Sequence, residues 1–294
     1  MKKIVLTATK NDETRKLIKF LESMFSEISY NFLHSILRKK DVKVNDKRTN
    51  NPQLILHEND MITIFGLDET DLTHKNIQDV EITFEKVYED ENILVVDKPH
   101  GLTVHDGVDN LDNQVLKYLE FSKNSSFTPS HIGRLDKETS GLMLYAKNYQ
   151  TLKYLNQNKN KILKKYELIT DLDNDLVAKV WLVHDETTQR MKVITKQQIK
   201  NYHNAKIAIT KFKVFQNGYA TAILETGRKH QIRATLAYLN HPILGDKKYG
   251  GENFYRLCLH CYELVFLELD GELDYLNKKI IKSNKSIKEE KWKK

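Results

Sequence analysis

The sequence is poor in cysteine, proline and glycine. Two cysteines, Cys258 and Cys261, among 294 residues cannot build the disulfide framework of a small secreted fold, so a reducing compartment, the cytoplasm, is expected. Four prolines and 11 glycines exclude collagen-like and low-complexity chains. No window approaches the ~18 uncharged apolar residues that a membrane-spanning helix needs. The start, MKKIVLTATKNDETRK, holds no apolar run of signal-peptide length. No membrane contact is expected. A mean hydropathy of -0.57 with 40% hydrophobic residues fits a soluble globular protein, long enough for one ordinary domain and a small one.

What the sequence has is positive charge. Its 47 Lys and Arg outnumber 40 Asp and Glu, leaving +7, which makes an acidic polymer a candidate partner. Many soluble proteins are equally basic, so the distribution of charge must decide. Residues 11–25 repeat Leu17, Ile18, Leu21, Met24 and Phe25 at helical spacing behind the capping candidate Asp12. A second helix runs from the cap Ser29 through Phe32, Leu33, Ile36 and Leu37 into Arg38, Lys39 and Lys40. Val42 and Val44, the turn residues Asn45-Asp46-Lys47 and the stretch 61–65 predict short strands. This small α/β unit spans 5–66, a polar linker 67–80 and a second body 81–276, with a charged, frayed or loosely helical tail at 277–294. Strands are expected in the second body at 93–96, 142–146, 166–170, 180–183, 206–215, 220–225 and 257–267. Helices are expected at 115–119, 149–158 and 230–239. The fold class is α+β with a largely antiparallel sheet.

Two polar constellations carry the chemistry. In HIGRLDKETSGLMLYAKN, residues Gly133, Arg134, Asp136, Lys137, Thr139, Ser140 and Gly141 crowd into a loop before an apolar strand. These types suit a carboxylate in a tight turn beside a cation, with Asp136 as nucleophile or base, or a turn that only organises a loop. In ETGRKHQIRATLAYLNHPILGDKKYGG, the residues Arg228, Lys229, His230 and Arg233 fall in or near a helix's first turns. The helix dipole disfavours cations there, so an external anion or a buried carboxylate must answer them. Arg228 and Arg233 lie on different helix faces, and one can serve phosphate while the other serves Asp136.

The segments ILVVDKPHGLTVH (93–105), GRLDKETSGLMLYAKN (133–148), KKYELIT (164–170) and TGRKHQIRATLAYLNHPILGDKKYG (226–250) resemble, in order, the motifs of RluA-family pseudouridine synthases. The N-terminal unit is similar to the αL-motif RNA-binding domain of a ribosomal small-subunit protein. The resemblance implies isomerisation of uridine within RNA, most often large-subunit ribosomal RNA. The N1 glycosidic bond breaks, the base rotates and C5 rejoins the ribose, with no cofactor, no metal and no nucleotide. It implies Asp136 as catalytic aspartate, Tyr166 packed against the base, Arg233 paired with the aspartate and Arg134 entering the base stack. Arg228, Lys229, His230 and Thr139 are expected at the substrate. An ionised Asp136 serves every chemical route, and a neighbouring arginine favours that form. Many members carry His where this chain has Gly133.

Rival readings are weaker. Cys258, His260 and Cys261 form one short cluster without a second ligand pair, so metal binding gives way to a strand with two lined faces. Ser140 lacks a G-x-S-x-G elbow for Ser-His-Asp hydrolysis, and no phosphate-binding glycine loop occurs. The rival of another class is a noncatalytic RNA-binding or ribosome-assembly protein, which has no need of a carboxylate amid cations. RNA phosphates are expected at Arg15, Lys16, Arg38, Lys39, Lys40, Lys43, Lys47 and Arg48, and the protein is expected to be a monomer.

Overall fold

The computed structural model describes residues 2–72, 80–121 and 126–288. The first strand is β1 (Lys3–Thr7), ahead of the unit expected from residue 5, with Ile4 turned inward between exposed neighbours. Helices α1 (Leu17–Met24) and α2 (Tyr30–Arg38) follow, then β2 (Val42–Val44), β3 (Lys47–Thr49) and β4 (Met61–Phe65). The four strands pair in the order β1-β4-β2-β3. Asn45 and Asp46 take positive φ, 48° and 63°, the conformation a two-residue hairpin between β2 and β3 demands. Ser29 caps α2 by accepting from Phe32 N–H. Asp12 does not cap α1, which begins five residues later. It closes a separate 3-10 turn with Thr9, and its carboxylate is wholly buried. Leu17, Leu21, Phe25, Leu33 and Ile64 make this unit's core.

The second body is built on one sheet. Its elements are β5 (Glu85–Glu89), β6 (Ile93–Lys98), α3 (Leu111–Tyr118), β7 (Ser130–His131), β8 (Ser140–Ala146) and α4 (Tyr149–Gln157). Then come β9 (Ile162–Ile169), β10 (Leu176–Asp185), β11 (Arg190–Ile194), β12 (Lys206–Val214), β13 (Tyr219–Leu224), α5 (Gln231–Tyr238), β14 (Leu259–Phe266) and β15 (Ile280–Lys282). The strand order is β11-β10-β12-β13-β9-β14-β8-β6-β5, with β15 on β14 and β7 on β8. Only β14 and β8 pair in parallel among these ladders, so the largely antiparallel α+β expectation holds. Strands β6 and β8 are buried along their whole length, which is why ILVVDK and SGLMLYA read as continuous rather than alternating runs.

Three sequence expectations change. Strands β5 and β11 carry too many charges to show a clear apolar alternation, and they went unpredicted. Helix α3 begins at Leu111, earlier than expected, because Asn110 caps it through Asn113 N–H. The tail is neither frayed nor helical up to residue 288. Its few apolar residues are the anchors: Ile281 and Ile287 are buried, and β15 pairs with β14. Half of the expected linker, residues 73–79, lies outside the described residues. The N-terminal unit contacts the second body through Asp12 and Arg15. Ser126 Oγ donates to Asp12 at 2.5 Å, Arg15 donates to the Ser126 carbonyl at 2.8 Å, and the Arg15 guanidinium lies over the Tyr149 ring.

Candidate active site

Asp136 sits on the loop between β7 and β8, and every residue around it is tied to a neighbour. Thr139 N–H closes the turn onto the Asp136 carbonyl at 3.1 Å. Lys98, at the end of β6, donates to the carbonyls of Pro99 (2.9 Å), Leu102 (2.8 Å) and Lys137 (3.0 Å). Gly101 N–H donates to the same Lys137 carbonyl at 3.0 Å, and His100 Nδ1 to that of Glu138 at 3.0 Å. The DKPHG stretch is thus the clamp of the Asp136 loop. Gly133 explains the departure from the family pattern: its φ of 72° is left-handed, a conformation glycine adopts freely. Gly141 follows the same logic more strictly. Its φ is 112°, and a Cβ there would lie 2.3 Å from the Cys261 carbonyl oxygen.

The second constellation meets the first through Arg233. Its guanidinium is bidentate to Asp246, with both bonds at 2.8 Å, and donates its remaining edge to Asp136 at 3.2 Å. The Tyr249 ring lies 5.2 Å from the guanidinium. Arg233 is 5% exposed and Asp246 1%, so the pair is desolvated and held rigidly. These carboxylates answer the unfavourable placement of a cation early in α5. Burial opposes the charge on Arg233, but Asp246 and Asp136 more than offset this and raise its pKa. Gln231 fixes the turn before α5: its Oε1 accepts from Thr226 Oγ1 and Arg228 N–H, and its Nε2 donates to the Ile209 carbonyl.

His230 takes φ 52° at the start of α5. Its Nε2 faces Asp136 at 3.6 Å and its Nδ1 meets the Tyr249 hydroxyl at 2.8 Å. Burial pushes its pKa down to about 4, against the pull of Asp136, so near neutral pH it is uncharged. Tyr166, on β9, is buried and lines the same cavity as Asp136, Arg134, Arg228 and His230. Burial, with the Cys261 thiol and Asp136 nearby, pushes its phenol well above the ordinary range. It stays protonated, which suits a stacking surface better than a base. Arg134 is exposed at the rim, 3.4 Å from His105 Nε2. Arg228 lines the wall with its Nε bound to the Ile207 carbonyl, and Lys229 is exposed. Thr139 lines the cavity but is 2% exposed.

Every loop and helix residue expected at the substrate therefore surrounds one cavity except Lys229, which is not among its lining residues. Reasoning from sequence missed Lys98 and Asp246. Both lie inside the quoted segments, yet only the folded chain brings them to Lys137 and Arg233. Cys258 and Cys261 are buried thiols in the core, as the two-faced strand suggested. One expected phosphate ligand is turned inward: Arg15 is 11% exposed along its side chain and is bound to Asp12 and Ser126. Lys16, Arg38, Lys39, Lys40, Lys47 and Arg48 are exposed, while Lys43 is half-buried with Arg48 against the Phe65 ring.

The largely antiparallel sheet thus presents an aspartate-arginine pair in a cavity lined by further cations. Residues 92–238 match the family model described as RNA pseudouridylate synthase. An uncharacterized RNA pseudouridine synthase of Mycoplasma capricolum is 34% identical, the alignment covering 94% of this chain and 95% of that one. The ribosomal large subunit pseudouridine synthase D of Haemophilus influenzae is 32% identical, covering 85% and 78%. Among solved structures, human RNA pseudouridylate synthase domain containing 1 shares the fold, with a TM-score of 0.53 at 19% identity, covering 71% of this chain and 90% of that one. The chain belongs to the RluA family of pseudouridine synthases and is an isomerase acting on RNA. No helix of the described residues is long and apolar enough to cross a membrane.

Proposed function

We propose that this enzyme converts specific uridines of large-subunit ribosomal RNA to pseudouridine in the cytoplasm, with Asp136 as the catalytic aspartate. The observation that carries the reading is that Asp136 is the one carboxylate among the described residues lining the cavity, and it faces Arg233 at 3.2 Å. Names of relatives such as that of Haemophilus influenzae supply the ribosomal target.

A uridine inside structured RNA must leave its stack before its glycosidic bond is reachable, at a cost of a few kcal/mol. Arg134, exposed at the rim, fills the gap left behind. Arg228 and Lys229 meet the flanking phosphates, and Tyr166 packs on the everted uracil. Asp136 acts on the ribose or the base as the N1–C1′ bond breaks. The uracil rotates in place, C5 bonds to C1′, the C5 proton is lost to solvent and N1 takes one up, so that substrate and product are isomers. Arg233 holds Asp136 throughout, because Asp246 leaves it no other orientation. Neutral His230 and Thr139 close the wall beside them. Residues 5–66 form the RNA-binding domain and 81–276 the catalytic domain, with Lys16, Arg38, Lys39, Lys40, Lys43, Lys47 and Arg48 on phosphate.

The test is Asp136→Asn. It should abolish pseudouridine formation in large-subunit ribosomal RNA while leaving the melting temperature and RNA affinity nearly unchanged. Pseudouridine mapping by chemical modification and primer extension, in ribosomal and transfer RNA with and without the enzyme, identifies the target. Substantial residual turnover by the variant defeats the assignment of Asp136, and a map with changes only in transfer RNA defeats the ribosomal target.

A further inference from the structure

A buried polar chain runs behind the catalytic sheet and uses residues the reaction does not need. In the pairing of β9 with β14, Tyr166 stands opposite Cys261 and Glu167 opposite His260. Since side chains alternate across a strand, Tyr166 and Cys261 face the cavity while Glu167 and His260 face the other side. Ser140, opposite His260 in the parallel ladder, also points to the back, four residues after Asp136. The C-terminal segment covers this side. Ser286 Oγ and Ile287 N–H donate to Glu167 at 2.7 Å and 3.0 Å, and Ser283 donates to Asp97.

The hydrogen-bond directions in this chain are fixed by its two ends. Arg256 has only donors and gives one to Ser140 Oγ at 2.5 Å. Asp97, as a carboxylate, only accepts, so the Ser283 hydroxyl proton goes to it. Ser283 Oγ then accepts from His260 Nε2–H at 3.0 Å. In the neutral ring His260 Nδ1 then carries no proton, and it accepts from Ser140 O–H at 2.8 Å. Burial lowers the His260 pKa, which agrees with this neutral ring. The series Ser140, His260, Ser283, Asp97 has the residue types of a hydrolytic relay, but Ser140 is 4% exposed, faces away from the cavity and already accepts from Arg256.

We propose that His260 is a positioning residue for Asp136, holding Ser140 at the root of the catalytic turn. This rests on Asp136 being the catalytic group. Thr139 N–H bonds the Asp136 carbonyl, so a shift of Ser140 passes to Asp136 through one residue. A displacement of about 1 Å at a reacting group is enough to cost on the order of a hundredfold in rate.

The experiment separates the two ring nitrogens. Asparagine sets its Oδ1 near the place of Nδ1 and can still accept from Ser140, whereas glutamine reaches only the place of Nε2. The probe is RNA from cells lacking the enzyme, tritiated at uridine C5, so the readout does not depend on which RNA is the target. Tritium release is followed in a single turnover, with RNA affinity and melting temperature measured alongside. His260→Gln and Ser140→Ala should each slow release by about tenfold or more at unchanged affinity, and His260→Asn should stay within about threefold of the parent. The Ser140→Ala/His260→Gln double variant should be no slower than Ser140→Ala alone. Equal losses in His260→Asn and His260→Gln, additive losses in the double variant, or parental rates throughout overturn the proposal. If His260→Gln fails to fold, Ser140→Ala, which removes one oxygen, decides by its rate. Asp136→Asn runs as the control: turnover by that variant defeats the catalytic assignment itself, independently of the ratio between the His260 variants.

Discussion

The two hydrophobic cores of this chain differ in what they bury besides hydrocarbon. Among the described residues the N-terminal core holds one buried charged residue, Asp12, and it belongs to the contact with the second body. The catalytic core buries Asp97, Lys98, Glu167, Arg233, Asp246, His260 and Glu263. Burying an ion costs several kcal/mol unless partners replace its water, so hydrocarbon alone would make a more stable sheet. Of these, Lys98, Arg233 and Asp246 lie around the Asp136 loop, where they fix its backbone and orient its carboxylate. The core of the small unit is otherwise hydrocarbon, from leucine, isoleucine, valine, methionine and phenylalanine.

Breaking the catalytic network should have the largest effect. Asp246→Ala strands Arg233 without its main partner, and a stability loss of about 3–5 kcal/mol is expected, together with loss of turnover, read by denaturant titration and tritium release. A matching truncation in the other core, Leu21→Ala, should cost about 2–5 kcal/mol. It should lower RNA affinity while leaving the single-turnover rate at saturating enzyme nearly unchanged.

Lys98 sharpens the contrast through pH. Burial brings its ammonium down to about 7 against the pull of Glu138 and Asp136, yet its three carbonyl acceptors match only the three N–H groups of the charged form. Turnover should therefore fall as pH rises through about 7, because the neutral amine leaves one carbonyl of the loop clamp unpaired. Lys98→Met should be slow at every pH. The stability profile should change on the acid side. The His230 pKa is about 4 and that of His260 is also lowered, both by burial. Between their ordinary value near 6.5 and their folded values the unfolded chain binds more protons, so stability should drop as pH falls across that window. Denaturant midpoints between pH 7 and 4 measure it. A rise on acidification would contradict neutral buried rings.

The smallest effects separate surface from interface. Lys39→Ala should weaken RNA binding and reduce the slope of affinity against salt by about one. Arg15→Ala should leave that slope unchanged and instead loosen the N-terminal unit from Ser126 and Tyr149, seen as faster hydrogen exchange at residues 10–15. Equal salt slopes for the two variants would place Arg15 on RNA after all.

Local chemistry settled what kind of protein this is. The order of the motifs, the helical spacing from Leu17 to Met24, the Ser29 cap and the continuous apolar runs of β6 and β8 were all readable, because each depends on neighbours within a few residues. Short-range rules even showed that cations at the head of α5 needed an external anion or a buried carboxylate. Which carboxylate was decided by folding: Asp246 reaches Arg233 by a return of the chain after α5, and Asp136 arrives from 97 residues away. Lys98 beneath the Asp136 turn, Arg15 turned away from solvent and the tail locked onto Glu167 are likewise products of long-range contact. Pairing across a sheet is set by the competition of all strands for one buried surface, and no local window of sequence contains that competition.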